Sequence, residues 1–391
     1  MAKRISIGTW AYTIGPYQND PVPFEEVCSK LKELKFDGLE LGAFNFHAKA
    51  HPNYYNCPTK ESRLAVLETM KKYGLEFSGI AADLWNYPGH EMHLADATDG
   101  GAAYIAEFRK LLEFTVDLGI KVFRVDTVQD PNILVGKSPV DIDIARNNVV
   151  KIWKEAAKIA QDAGVDLSWE FEPGFVFNRP SDILRIIQEV DEPNFGAMFD
   201  TCHAYTVGVV GAKQTGGAQE TVDGGVVGFA KKLRGKINHI QLIDSDGSLH
   251  DDHTSTHNPF FTGKVDFGPV LQELNAHSGV KHDWWTIDLC FWPDAWPGTA
   301  EAKKACDLLN RKYGQEPMTA KAPPAPARRS LGGGGKPAAK PSRKAVAKTK
   351  PAAKKAIAKA KAKSKPKAKA KTKAKPVSRP AKKAKSKARR S

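Results

Sequence analysis

Four short apolar runs between residues 166 and 289 carry acid, amide or imidazole side chains at or near their carboxyl ends. The first reads Trp169-Glu170-Phe171-Glu172-Pro173, with two glutamates two residues apart and therefore on one face of a strand. The second ends on Phe199-Asp200, with His203 three residues further on. The third, His239-Ile240-Gln241-Leu242-Ile243-Asp244, sets His239 and Gln241 on one face, and the fourth is Thr286-Ile287-Asp288-Leu289. Asp200 taken alone reads equally well as the N-cap of a following helix, because aspartate is a favoured cap. Four successive strands ending this way are harder to explain by structure alone. Buried carboxylates are rare unless paired or bound to a metal, so the pattern points to a metal site.

Positioning such groups requires a scaffold that brings the carboxyl ends of consecutive strands together. Runs suited to strands fall at 4–10, 38–42, 75–81, 121–126, 166–172, 195–200, 237–244 and 283–289. Helical spacing of apolar residues falls at 24–36, 60–73, 102–118, 142–163, 181–190, 226–234, 267–277 and 300–313. Gly74, Gly119, Gly164 and Gly279 stand between a helix and the next strand, where a left-handed residue ends the helix. Eight strand–helix units predict an α/β fold, a closed (β/α)8 TIM barrel, with an open doubly wound sheet as the alternative. No GxGxxG or GxxxxGK[ST] phosphate loop supports that alternative. The long loops, 44–59, 83–101, 127–141, 205–225 and 245–266, all follow strands, as in a barrel that builds its pocket on one face. Trp10, Trp85, Phe291, Trp292 and Trp296 fall near that face, as pocket wall for a small organic substrate or as rim packing.

At this point the sequence resembles a known family. Gly164-Val-Asp-Leu-Ser-Trp-Glu170, Phe199-Asp200-Thr-Cys-His203, His239-Ile-Gln241-Leu-Ile-Asp244 and His257-Asn-Pro-Phe-Phe-Thr-Gly263 are similar to motifs of the xylose isomerase-like TIM barrels, the sugar isomerase/epimerase superfamily. Their order over residues 4–313 makes the likeness specific. The resemblance implies metal ligands at Glu170, Asp200, Gln241 and Asp288. It places His203 beside substrate or metal, and His257 in the seventh loop. Gln241 replaces the commoner histidine, Asp288 is one methylene shorter than the usual glutamate, and the arginine that some keto-sugar epimerases carry after strand seven is not apparent.

That set offers only oxygen, which suits one divalent ion, Mg²⁺ or Mn²⁺ ahead of Zn²⁺ or Co²⁺. The implied chemistry is isomerisation or epimerisation of a sugar through an enediolate. Glu170 and Asp288 move protons on opposite faces and His203 binds substrate oxygens. Glu172 and His239 orient ligands, while His257, Trp10 and Trp85 surround the substrate. The same superfamily contains AP endonucleases, which need several metals and more histidines. His51, His90 and His93 lie in early loops, but Gln241 and the lack of histidine-rich strands favour one metal. A barrel that binds without catalysis is the other alternative.

Charge divides the chain in two. Residues 321–391 hold 27 Lys and Arg and no acid, so of the formal +15 the remainder carries −12. The reading is a barrel over 1–315 and a disordered Lys/Ala/Pro-rich tail over 316–391. The tail has four glycines at 332–335 as a hinge, and it resembles linker-histone tails. Lysines such as Lys361, Lys363, Lys365, Lys367 and Lys369 would bind nucleic-acid phosphates without reading bases; a solubility tail, or contact with the acidic barrel, is the alternative. Five unpatterned cysteines, no signal peptide after Met1, and no apolar run near the roughly 18 residues of a membrane span predict a cytoplasmic protein, nucleoid-associated through its tail, with oligomeric state left open.

Overall fold

The structure is a computed structural model that describes residues 2–44, 51–82, 84, 91–251 and 253–315. The tail, with its five named lysines, and Trp85 and His90 lie outside the described residues. No helix among the described residues is long and apolar enough to cross a membrane.

Eight parallel strands form one sheet: β1 (Arg4–Ile7), β2 (Gly38–Ala43), β3 (Glu76–Ala82), β4 (Val122–Val125), β5 (Asp166–Glu170), β6 (Phe195–Asp200), β7 (Ile237–Leu242) and, after the two-residue strands β8 (Leu249–His250) and β9 (Thr254–Ser255) of a loop hairpin, β10 (Trp284–Ile287). The spatial order β1-β10-β7-β6-β5-β4-β3-β2 leaves β1 and β2 at the edges, and a parallel bridge from Gly8 to Glu40 brings those edges together. The result is the expected barrel. β2, β6 and β7 are buried along their whole length, as strands covered on both faces must be.

Around the barrel run α1 (Phe24–Glu33), α2 (Lys60–Tyr73), α3 (Ala102–Asp117), α4 (Ile142–Asp162), α5 (Pro180–Val190), the short α6 (Thr201–Tyr205), α7 (Gly225–Lys232), α8 (Phe267–His277) and α9 (Ala295–Tyr313). In α4, Ala145, Val149, Ile152, Trp153, Ala156 and Ala160 repeat every three or four residues and are buried. Its Asp141 cap accepts from the backbone of Asp143 and Ile144. At the other end of the helix repertoire, Gly74 closes α2 at φ 65°, a conformation a side chain would strain; Gly119, Gly164 and Gly279 share the positive φ.

Some boundaries differ from the sequence reading. Trp10 leaves β1 for a 3-10 turn, Thr9–Tyr12, that curls its indole over the barrel mouth. Strand five stops at Glu170, so Glu172 stands on the loop beyond. The last helix starts at Ala295, because Pro297 in its first turn has no partner to lose. In the stretch expected as loop, 205–225, a π-helical turn, Thr206–Val210, extends the short α6 that Asp200 caps.

Candidate active site

At the carboxyl ends of the strands lies a cavity of about 500 Å³. Its walls include Trp10, Ile14, Phe44, Val128, Phe175 and Phe291, and its floor carries Arg124, Glu170, Glu172, His203, His257 and Asp288. Val128, at φ 56°, is a β-branched residue held in the left-handed region within a tight turn that Gln129 N–H closes onto Thr127 O at 2.8 Å. Backbone strain of this kind collects at binding sites.

Arg124, on β4, organises one half of the floor. Its Nη2 donates to Glu172 Oε1 at 2.7 Å and to Asp126 Oδ1 at 3.2 Å, and its Nε is ion-paired with Glu170 Oε2. Glu172 Oε2 also accepts from Thr254 Oγ1 of the loop hairpin at 2.5 Å. All three acids and the guanidinium are buried. Burial pushes Asp126 up to about 7, with Arg124 pulling down and Glu172 adding to the rise. Burial likewise holds Glu170 well above the ordinary carboxylate range, against the charge of Arg124.

The other half gathers Asp200, His203, His257 and Asp288, whose ligating atoms all lie within 4.8 Å of one another. Asp288 is held from two sides: Trp10 Nε1 donates to Oδ1 at 2.5 Å and His257 Nε2 meets Oδ2 at 3.0 Å. Burial would raise the Asp288 carboxyl, but the charge and hydrogen bond of His257 carry it below its usual range. Burial would lower His257, and the same pairing lifts it to about 9. His203 rests its Nδ1 on Ser255 Oγ at 2.8 Å, and burial lowers it to about 4. Asp200 caps α6, its Oδ1 accepting from His203 N–H at 2.8 Å, while its Oδ2 is buried with no hydrogen-bond partner. Capping and a ligand role are thus compatible, since they use different oxygens.

Gln241 lies beside Asp200 in the β6–β7 register. Its Nε2 donates to Glu40 Oε2 at 3.1 Å, and its Oε1 is a second buried acceptor with no partner. His239 lies deeper and bonds Glu40 and Thr286, each at 3.0 Å. Two orphaned acceptors on neighbouring strands, together with Glu170 and Asp288, match the donor set of a hard divalent cation. Asp126, Glu170, Glu172, Asp200 and Asp288 are five buried acids facing the Arg124 guanidinium and the raised His257, and burial lifts Asp126, Glu170 and Asp200 above the ordinary carboxylate range, as for acids short of positive charge.

The structure therefore brings Glu170, Glu172, His203, His257, Asp288 and Trp10 to one cavity; Asp200 and Gln241 do not line it, but Asp200 lies within 4.8 Å of His203, His257 and Asp288, and Gln241 is its register partner. The four expected ligands do not form one tight group, because Arg124 draws Glu170 toward Glu172; those two acids and His203 form a second cluster. The Asp200 group also adds imidazole nitrogens to what the sequence reads as oxygen alone. Arg124, Asp126, Glu40, Thr254 and Ser255 are absent from the sequence reading. Arg124 and Glu40 carry the signal used elsewhere, a charged residue inside an apolar strand; the two-residue strands of the hairpin carry none. His51 bonds Val22 O at 2.9 Å and His93 bonds Asp96 at 2.9 Å, and neither lines the cavity, which removes two histidines from any multi-metal centre.

Comparison with known proteins agrees with this architecture. Fructoselysine 3-epimerase of Shigella flexneri is 23% identical over 266 residues, 65% of this chain and 81% of that protein. The D-psicose 3-epimerase of Clostridium cellulolyticum H10, solved with D-tagatose, superposes with a TM-score of 0.57 at 16% identity, covering 79% of this chain and 99% of that one. An IolI protein solved with a zinc atom superposes with a TM-score of 0.55 at 16% identity, covering 79% and 99%. These two structural likenesses show the shared fold. A sequence profile described as xylose isomerase-like TIM barrel matches residues 28–312, and the chain belongs to that family.

Proposed function

We propose that the barrel is a divalent-metal-dependent isomerase or epimerase of a ketose-like sugar. The observation that carries this reading is the pair of orphaned acceptors, Asp200 Oδ2 and Gln241 Oε1, on register-paired residues of β6 and β7, with Asp200 grouped within 4.8 Å of His203, His257 and Asp288 of the cavity floor. Asp200, Gln241, Glu170 and Asp288 would hold the ion, with His257 beside them as the cationic partner of Asp288. When bound, the ion supplies Lewis acidity that stabilises negative charge on a carbonyl and its neighbouring hydroxyl. Glu170 and Asp288 take and return the proton on the carbon between those oxygens. Trp10 and His257 hold the Asp288 carboxylate in place, Arg124 holds Glu170, and His203 Nε2 is left to meet a substrate oxygen. The aromatic wall keeps water from the exchanging proton. Mn²⁺ or Mg²⁺ fits the oxygens; the imidazoles widen the choice to zinc-like ions.

Fructoselysine, D-tagatose and D-psicose, which the names of similar proteins supply, are the first substrates to try. The test is proton NMR in D₂O with these ketoses, with and without Mn²⁺. Metal-dependent deuterium uptake beside a carbonyl is the expected result. Cleavage of abasic DNA with no exchange on any sugar would replace the reading with a nuclease.

We further propose that the basic tail binds nucleic acid non-specifically through phosphates, on the strength of its 27 cationic and zero acidic side chains.

A further inference from the structure

An amide side chain has two ends of opposite chemistry, an acceptor oxygen and a donor nitrogen, and only the oxygen can face a cation. Whether Gln241 is a ligand therefore depends on what takes its nitrogen. That partner is Glu40 of β2, fully buried, whose Oε2 accepts from Gln241 Nε2 at 3.1 Å. A carboxylate has only acceptors to offer, so turning the amide over would set oxygen against oxygen.

The sense of this bond is fixed further down the barrel. The backbone N–H of Trp284 can only donate, and it gives to His282 Nδ1 at 3.2 Å. His282 then carries its proton on Nε2, which meets His239 Nδ1 at 3.1 Å. His239 in turn carries its proton on Nε2 and donates to Glu40 Oε2 at 3.0 Å. Each step leaves one choice of tautomer for the next ring. One backbone amide at the start of β10 thus orders a series of donors that converges on the same Glu40 oxygen as Gln241. The strand beside Glu40 makes room for it: a Cβ at Gly79 would stand 3.3 Å from Glu40 Oε1 and 3.4 Å from its Cγ and Cδ.

We infer that Glu40 is a positioning residue, held as an acceptor by the His282–His239 series, that keeps the Gln241 oxygen turned to a divalent ion shared with Asp200. The inference rests on the metal-dependent reading above.

Calorimetric titration of the chelator-treated protein with Mn²⁺ separates the two. Absence of Mn²⁺ binding by the unsubstituted protein would sink the metal reading and this inference with it. Given binding, Glu40→Gln lets Gln241 turn either way, and Mn²⁺ affinity should fall by about 10- to 100-fold. Circular dichroism of the metal-free variant should stay unchanged, which separates positioning from folding. The double substitution Glu40→Gln, Gln241→Glu reverses the hydrogen bond, keeps the net charge and presents only oxygen; it should restore affinity to within about tenfold of the starting protein or better. Unchanged affinity in a folded Glu40→Gln protein would overturn the inference, as would a folded double variant that binds no better than the single one. If Glu40→Gln does not fold, a crystal structure of the unsubstituted protein with Mn²⁺ decides: the Gln241 oxygen on the ion supports the inference, and Gln241 outside the coordination sphere overturns it.

Discussion

Arg124 holds three buried acids at once, and its removal gives the sharpest test of how the floor is balanced. Its side chain is 7% exposed, and it reaches Glu172 at 2.7 Å, Asp126 at 3.2 Å and Glu170 in an ion pair. Replacing it by methionine keeps the length and loses every donor. Breaking a buried ion pair by deleting one partner costs about 3–5 kcal/mol, chiefly because the other charge stays behind unpaired. Three partners share one guanidinium, so the losses do not add, and about 4 kcal/mol is expected. At roughly 2 °C per kcal/mol for a barrel of this size, the melting temperature of metal-free Arg124→Met should fall by about 8 °C. Arg124→Lys restores the charge without the planar fork and should recover roughly half of that loss. Adding Glu172→Gln to Arg124→Met removes one of the stranded charges, so the double variant should melt above the single one. Thermal unfolding followed by circular dichroism, in chelator, reads all three. A drop below about 2 °C for Arg124→Met would show that the guanidinium does not offset these acids, and the charge argument for a cation site would lose its footing.

Other expectations follow from single residues. Asp200→Ala should lose the bound metal, read by elemental analysis, and with it deuterium exchange on any substrate; unchanged metal content would misplace the site. His51 is buried, with burial lowering it to about 4, so the unfolded chain binds the extra proton between pH 6.5 and 4. Its contribution is intact above pH 6.5 and is lost as pH falls through that window, about 3 kcal/mol in all. Urea unfolding should therefore show a shallower pH dependence for His51→Gln, whose amide can still donate to the Val22 carbonyl, and parallel curves would refute the assignment. Truncation after Gln315 should preserve metal binding and small-molecule turnover while abolishing salt-sensitive DNA binding; a truncated barrel that bound DNA with the same salt dependence would contradict the reading of the tail.

The sequence was most legible where one physical cause acts alone. β6 and helices α2 and α8 begin and end where their apolar patterns do. It was least legible where tertiary contacts decide. Nothing in the apolar run from Ile5 to Trp10 marks the point where strand becomes 3-10 turn; that point is set by the indole reaching Asp288, 278 positions away. Glu170 and Glu172 do converge on one side, as their spacing implies, yet what gathers them is Arg124. That arginine stands alone in Val122-Phe123-Arg124-Val125, and nothing local to β4 ties it to acids on β5 and beyond. The partners of His203 and Glu172 come from a hairpin of two-residue strands with no periodicity to read.

Register explains why the spacing of ligands cannot be taken from the sequence even when the ligands themselves can. Glu170 pairs with Met198, two residues before Asp200; Asp200 pairs level with Gln241; Gln241 pairs with Thr286, two residues before Asp288. From β5 to β10 the functional position therefore climbs by two, none and two residues. In a flat sheet that staircase would spread the groups along the strands. In an eight-stranded barrel the strands tilt and the register shears by eight residues around the circle, about one per strand, so four residues over three steps keep the groups near one height. Asp200 and Asp288 bring ligating atoms within 4.8 Å for this reason, although a residue count along paired strands would separate them. The climb also dictates which residue two places away is buried beneath the site. Below Gln241 it is His239 and below Asp288 it is Thr286, hydrogen-bonded to each other at 3.0 Å. The layer that holds Glu40 in place is thus the same staircase one step lower.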